Sequence, residues 1–398
     1  MNLLETYRNA VRSFEPSADP REALERGEVV FPVPHTELAQ LPARVALRPD
    51  RAFVVAGGIG TGKSTALLLV QEEVNRTPDV RAVYVDVFTL ADLERFEAGT
   101  LETLAALALA RTLVAKDDPV HKSLRSVAYA RYELQAASPI ASIAEMIANL
   151  PKFDVGLPLV EQRPQSVRRG GVLKPPSASD PSEGPLDLVS EHLPTNVRLV
   201  LLLDGLDRVS DGSGYLSMLE RGLPALARRG IGVVLTVPPV VLYEHGDELA
   251  RRVQGIATCP SLDMTDPAHR KFMSAVLTRR DPGHLLVQVV DGIVGASGGS
   301  LRDLLSIASA TLEEAYLDGA PAARESHLQA AVRALGENLR LGLSAEAIAT
   351  LQAPRHDPGD PATLKLILSR RLVDRGRGSP RFVIHPALAE VLRELQAA

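Results

Sequence analysis

The sequence predicts an α/β fold built on a parallel sheet, followed by a helical region and a small helix-and-hairpin domain at the C-terminus. Three observations carry this reading. Short apolar runs rich in β-branched residues recur along the chain, helical patterns lie between them, and a glycine-rich segment ending in Lys-Ser directly follows the first run.

In chain order, residues 2–14 read as a short amphipathic helix, and the stretch to about 46 is rich in Pro and Arg with weak periodicity, an N-terminal extension. Strands are expected at Arg51–Ala56, Ala82–Val87, Arg198–Leu203, Ile231–Val237 and Gly255–Thr258. Runs this apolar suit strands buried on both faces of a sheet. Helices are expected at Lys63–Asn75, Leu90–Ala115, Gly214–Arg229 and Tyr243–Val253, which makes residues 47–262 one α/β core. One connection is far longer than the usual few residues, so 91–194 reads as an insertion. Helices are expected to fill its first part, whereas Pro151–Pro185 holds seven Pro and four Gly without a period and reads as a mobile loop. Residues 263–335 read as a helical lid, with helices at Pro267–Arg280, His284–Gly292, Leu301–Leu317 and Ala323–Leu335. Residues 336–398 follow the order helix (Ser344–Leu351), helix (Pro361–Asp374), turn-rich segment, helix (Pro386–Gln396), which suits a winged helix.

Composition narrows the function classes. The chain has 398 residues, 45% hydrophobic and 23% charged, which excludes a disordered tail protein. No apolar run reaches the roughly 20 residues of a bilayer span, and the N-terminus is not a secretory leader, so a cytoplasmic chain with no membrane partner is expected. The single cysteine, Cys259, allows neither an internal disulfide nor a cysteine metal site. A formal charge of −5 confines any nucleic-acid contact to a local patch. Seven of the 44 basic residues are lysines, and Lys63 is one of them.

The glycine-rich segment Gly57-Gly58-Ile59-Gly60-Thr61-Gly62-Lys63-Ser64 fits GxxxxGK[ST] between a strand and a helix, and Thr65 follows it. The glycines let successive N–H groups turn inward onto phosphate oxygens, and the helix N-terminus adds a positive dipole end. Lys63 would reach the β- and γ-phosphates, and Ser64 would offer its hydroxyl to Mg²⁺. A dinucleotide loop does not fit, because Lys63 stands where the third glycine of GxGxxG belongs. The second metal-side group is expected at the end of a neighbouring strand, where Leu199–Leu203 runs into Asp204-Gly205-Leu206-Asp207-Arg208. Asp204 is expected to be the metal-side carboxylate, the other reading being a strand closed by an Asp-Gly turn. Asp207, just past the strand end, is expected to orient the attacking water, or else to cap a turn or pair with Arg208.

Together, the phosphate loop, the DGLD strand end and the helical lid resemble the AAA+ and STAND branches of P-loop ATPases, including archaeal-type STAND, KAP-type and origin-recognition-type proteins. The resemblance covers roughly residues 50–310, plus the winged helix that several of these families carry. Gly205 follows Asp204 where AAA+ proteins usually have an acid, and Arg208 stands where many STAND proteins have an acid, although KAP-type proteins resemble this chain in having Arg there. Those departures bear on hydrolysis rather than on binding. The resemblance implies ATP with Mg²⁺; no N-K-x-D guanine motif is present. It further implies that Thr236 is a sensor for the γ-phosphate, the other reading being an ordinary strand residue, and that Arg302 is the lid arginine that reaches back to the nucleotide. Arg251 and Arg252 match the place of an arginine finger, which would need a nucleotide-dependent homo-oligomer, or else simply favour a helix C-terminus.

In the C-terminal segment, Lys365, Arg370, Arg371, Arg375, Arg377 and Arg381 face a single acid, Asp374, although 336–398 as a whole holds nine basic and seven acidic residues. This patch is the candidate contact for double-stranded DNA, or the segment docks protein instead. A protein partner could also engage the 91–194 insertion. The expected function is a Mg²⁺-dependent, ATP-hydrolysing molecular switch that couples nucleotide state to a DNA or protein partner. The alternatives are a DNA-binding initiator or loader with mainly structural nucleotide, and a nucleotide-held protein scaffold.

Overall fold

The structure, a computed structural model, describes residues 3–15, 20–30, 34–90, 96–132, 184–208, 211–281, 283–376 and 380–397. Five parallel strands form its centre: β1 (Ala52–Ala56), β2 (Val80–Asp86), β3 (Arg198–Asp204), β4 (Gly232–Val237) and β5 (Gly255–Thr258). Their order is β2-β3-β4-β1-β5. β1 therefore lies between β4 and β5, and β4 separates it from β3, so three strand ends converge on the loop that leaves β1.

Side-chain alternation gives the sheet two buried faces. On one, Phe53, Val55, Val200, Leu202 and Val234 pack with α3 (Thr36–Leu47) and α4 (Lys63–Val74). On the other, Val54, Leu201, Leu203 and Leu235 pack with α5 (Thr100–Leu113) and α7 (Gly212–Ala227), numbered after α6 (Pro119–Tyr132). Full burial of each such leucine contributes about 1.5–3 kcal/mol, which is why the apolar runs were legible as strands.

Some helices differ from expectation. The helix expected over 243–253 is two, α8 (Pro239–Glu244) and α9 (Gly246–Arg252), because Pro239 starts the first early and His245, at φ −130° and ψ 24°, breaks the path. The stretch before residue 46 carries α2 (Pro20–Glu25) and α3, whose internal Pro42 hid the helical period. Of the helices expected in the insertion, α5 and α6 are seen; residues 133–183, with nearly all of the segment read as a mobile loop, lie outside the described residues.

Beyond β5 come α10 (Pro267–Arg280), α11 (Val287–Ala296), α12 (Leu301–Leu317) and α13 (Glu325–Arg340), the helical lid. The N-terminal α1 (Leu3–Ser13) belongs to this core rather than to the sheet: Tyr7, Ala10 and Phe14 are buried among Met273, Leu277, Ile307 and Leu312. The Tyr7 hydroxyl donates to the Ala320 carbonyl at 2.8 Å.

The C-terminal part consists of α14 (Ala345–Leu351), α15 (Pro361–Leu368), an antiparallel hairpin of β6 (Leu372–Asp374) and β7 (Phe382–Ile384), and α16 (Pro386–Ala397), a winged-helix order with its own apolar cluster. The helix expected over 361–374 stops at Leu368. Arg370 turns the chain with φ 61°, and Leu372–Asp374 pair as a strand instead, since burial of Leu372 and pairing with β7 outweigh helical periodicity. Among the described residues, no helix is long and apolar enough to cross a membrane.

Candidate functional site

The loop from β1 to α4 turns through Gly60 at φ 84° and Gly62 at φ 98°, conformations that a side chain would strain. Space is closed as well: a Cβ on Gly57 would lie 2.1 Å from the Cys259 carbonyl oxygen, and one on Gly60 would lie 2.4 Å from the Arg302 Cβ. Thr61 donates its hydroxyl to the Gly58 carbonyl at 3.0 Å, and the Cys259 thiol donates to the Thr61 carbonyl at 3.3 Å. Burial pushes the Cys259 thiol pKa up, against smaller opposing effects of Thr61 and Lys63. Ile59 stands exposed at the tip, and Ser64 and Thr65 are half-buried in the first turn of α4.

Lys63 is buried and curls back over this loop. Its ammonium donates to the Gly57 carbonyl at 2.9 Å and to the Gly58 carbonyl at 2.6 Å, and pairs with Asp207 at 2.9 Å. The structure thus brings the loop lysine and Asp207 into one contact although they lie on different elements. Arg208 instead lies 3.8 Å from Asp86 and over the Phe88 ring at 5.0 Å, so the expected pairing of Asp207 with Arg208 is replaced by Asp207 with Lys63.

Asp204 ends β3, buried at 4% exposure. One carboxylate oxygen accepts the Gly205 N–H at 2.8 Å and the other accepts the Tyr84 hydroxyl at 2.7 Å. On β4, Thr236 is fully buried, and its hydroxyl oxygen has no hydrogen-bond partner. Its carbonyl accepts from the Tyr215 hydroxyl at 3.0 Å. The Tyr215 pKa is raised, first by burial and then by the charge of Asp207, which places that carboxylate's field at the same strand ends.

The lid closes directly on the loop. The Arg302 N–H donates to the Gly60 carbonyl at 3.1 Å, and Leu301 abuts Gly62. One residue further, Asp303 is 3% exposed and holds two groups of the C-terminal domain. The Arg370 guanidinium donates to one carboxylate oxygen at 2.6 Å, and the His385 ring lies 3.4 Å from the other. Burial alone would raise the Asp303 carboxyl pKa. His385, Arg370 and Ser300 outweigh it and hold the pKa below the usual aspartate value.

Several arginines of the basic segment have partners within the chain. Arg371 donates to the carbonyls of Leu339 at 2.7 Å and Leu341 at 2.5 Å. Arg375 pairs with Asp263 and donates to the Thr265 hydroxyl at 3.0 Å. Arg381 pairs with Asp374 at 2.9 Å and stacks over Phe382 at 4.8 Å, while Asp374 also accepts from the Tyr243 hydroxyl of α8. Four of the six basic residues are therefore spent on holding the winged helix together and against the lid and core. Lys365 is exposed, and Arg377 lies outside the described residues.

Arg251 and Arg252 lie at the N-terminal ends of the strands, opposite the end that carries the phosphate loop, beside a cavity of about 440 Å³ lined also by Asp50, Arg51, Leu219 and Glu220. Neither can reach the phosphate loop of its own chain. Arg252 pairs with Glu248 at 2.6 Å and Glu220 at 3.7 Å, whereas Arg251 is exposed. Tyr84 and the Asp303–Arg370–His385 group were not anticipated; no local pattern marks them.

The residues present fit a magnesium nucleotide: a glycine loop with no room for a side chain at Gly57, Gly60 or Gly62, a buried ammonium, a strand-end carboxylate and an unpartnered buried hydroxyl. Among the described residues, no cluster of three or more His, Cys, Asp or Glu could hold a metal unaided.

No family model and no curated protein matches the sequence. Among solved structures, the chain is similar to the ORC2 protein of Aeropyrum pernix in ADPNP–ADP complexes, at 14% identity over 97% of this chain and 98% of that one, with a TM-score of 0.47. It is also similar to Cdc6p of Pyrobaculum aerophilum, at 14% identity over 97% and 89% with a TM-score of 0.45, and to Drosophila ORC bound to DNA, at 15% over 88% and 69% with a TM-score of 0.46. Strand order and the glycine loop leaving β1 define a P-loop type of α/β fold, followed by a helical region and a C-terminal part in winged-helix order.

Proposed function

We propose that the chain is a Mg²⁺-dependent, ATP-binding and ATP-hydrolysing switch whose lid transmits nucleotide state to the winged helix. The observation that carries the reading is the continuity of one helix end: Leu301 and Arg302 pack on the glycines of the phosphate loop, and Asp303 beside them grips Arg370 and His385. Anything that moves the start of α12 relative to the loop moves the anchor of the C-terminal domain.

In this reading, the loop N–H groups and Lys63 bind the phosphates, while Ser64 and Asp204 would hold Mg²⁺, which when bound would supply charge neutralisation at the phosphates. Phosphate competes with Asp207 for Lys63, and Asp207, released from that pair, orients the attacking water. Thr236 donates its unpartnered hydroxyl to the γ-phosphate or to that water. Arg251, at the far end of the strands, serves a second copy of the chain if the protein assembles in the presence of nucleotide.

The partner is a DNA duplex or a protein that meets the winged helix once its arginines leave their internal partners. Those internal partners favour a switch over a constitutively DNA-binding loader. The test is ATP binding and hydrolysis by wild type and Lys63→Ala, with and without duplex DNA at two salt concentrations. The variant is expected to lose binding at least about tenfold, the scale of one charge-assisted phosphate contact. Turnover that rises with DNA at low salt assigns DNA as partner. ATP affinity indifferent to the loss of Lys63 would overturn the assignment of the site.

A further inference from the structure

Tyr84 contacts the group expected to carry the metal. It lies on β2, in register with Leu202, while Asp86 is in register with Asp204. Residues two apart on a strand share a face, so Tyr84 and Asp204 are diagonal neighbours on the α4 face of the sheet. The phenol donates to Asp204 at 2.7 Å, and the Gly205 N–H fixes the other oxygen at 2.8 Å. The ring is held in turn: it packs against the buried cluster under α4, and the Arg21 guanidinium of α2 lies 5.8 Å from its centroid. A carboxylate at the end of a side chain has free rotation at χ2, and a donor from β2 together with the N–H of the next residue in the chain removes it.

We propose that Tyr84 is a positioning residue that locks the Asp204 carboxylate in the orientation from which it holds Mg²⁺ on the bound nucleotide. The proposal rests on the reading of the site as a magnesium-nucleotide site. Partners of this kind, hydrogen-bonded to a metal-side carboxylate, set its orientation and hence the affinity for the metal. A merely structural hydrogen bond between β2 and β3 would affect folding and leave the metal response unchanged, which separates the two roles.

The experiment measures nucleotide affinity of the full chain in EDTA and across a Mg²⁺ titration for wild type, Tyr84→Phe and Asp204→Asn, with thermal unfolding alongside. Tyr84→Phe is expected to match wild type in EDTA, to melt slightly lower because the buried Asp204 oxygen loses its donor, and to raise the Mg²⁺ concentration for half-maximal tightening about tenfold. Asp204→Asn should raise it further. A Tyr84→Phe titration that overlays wild type while Asp204→Asn shifts would overturn the role of Tyr84 and leave the site reading intact. If wild-type affinity does not respond to Mg²⁺ at all, the magnesium-nucleotide reading fails and Tyr84 loses its role with it.

Discussion

Replacing Arg370 tests the coupling between lid and winged helix most directly, because this side chain joins them and sits away from the phosphate loop. Its guanidinium meets Asp303 at 2.6 Å, with the carboxylate 3% and the arginine 33% exposed. Two unit charges with centres about 4 Å apart attract by about 4 kcal/mol at an effective dielectric of about 20. Part of that is already lost to water at the exposed arginine, and His385 stays on the second oxygen, so Arg370→Ala should weaken docking by about 2 kcal/mol, or about 30-fold in the opening equilibrium. Backbone strain adds a second, separable effect. Arg370 holds φ 61°, where any side chain costs about 1–2 kcal/mol, so Arg370→Gly should recover about 1 kcal/mol relative to Ala. Amide hydrogen exchange resolved by segment reads both: residues 361–397 should exchange about 30-fold faster in the alanine variant, with the sheet unaffected. If the lid transmits nucleotide state, ATP should restore or further release that protection in wild type and do so less in the variant. Unchanged exchange over 361–397, or an acceleration equal in all segments, would refute the anchor.

Two further outcomes follow from buried groups. Thr236→Val removes a hydroxyl that has no partner at a fully buried position, so it should stabilise the fold by about 1 kcal/mol while lowering ATP turnover at least about tenfold; a destabilised variant with full turnover would contradict the sensor role. His35 has its pKa held down to about 4, by burial first and by the His269 charge second, against Glu37. Its ring stays neutral in the fold while the unfolded chain takes up the proton near 6.5, so stability is full above that pH and falls by up to about 3 kcal/mol as the pH drops to 4. Denaturant unfolding at a series of pH values should show that slope in wild type and a flatter one in His35→Gln.

The parts of the fold legible in the sequence are those whose physics is local. β3 announces itself because all but its first residue are buried, and the phosphate loop because its glycines are required by backbone geometry at that spot. Asp204 follows from its place at the end of an apolar run. Where local patterns compete with distant ones, the sequence misleads: Leu372–Asp374 continue a helical period and yet become a strand, since the pairing partner lies beyond the turn. The same holds for α1, which reads as a free amphipathic helix and is a buried part of the lid core.

What the sequence by itself determined is the class of site: a strand, a glycine cradle, a lysine, and a carboxylate at the end of another strand, each set by the backbone or by burial periodicity. Only the tertiary structure decided what the charged side chains do. Tyr84 reaches Asp204 across 120 residues and Arg370 reaches Asp303 across 67, and Arg371, Arg375 and Arg381 of the basic segment likewise find partners within the chain. The reason is physical. Periodicity reports which face of an element leaves water, whereas an ion pair depends on which two faces meet, and that is settled by packing of the whole chain.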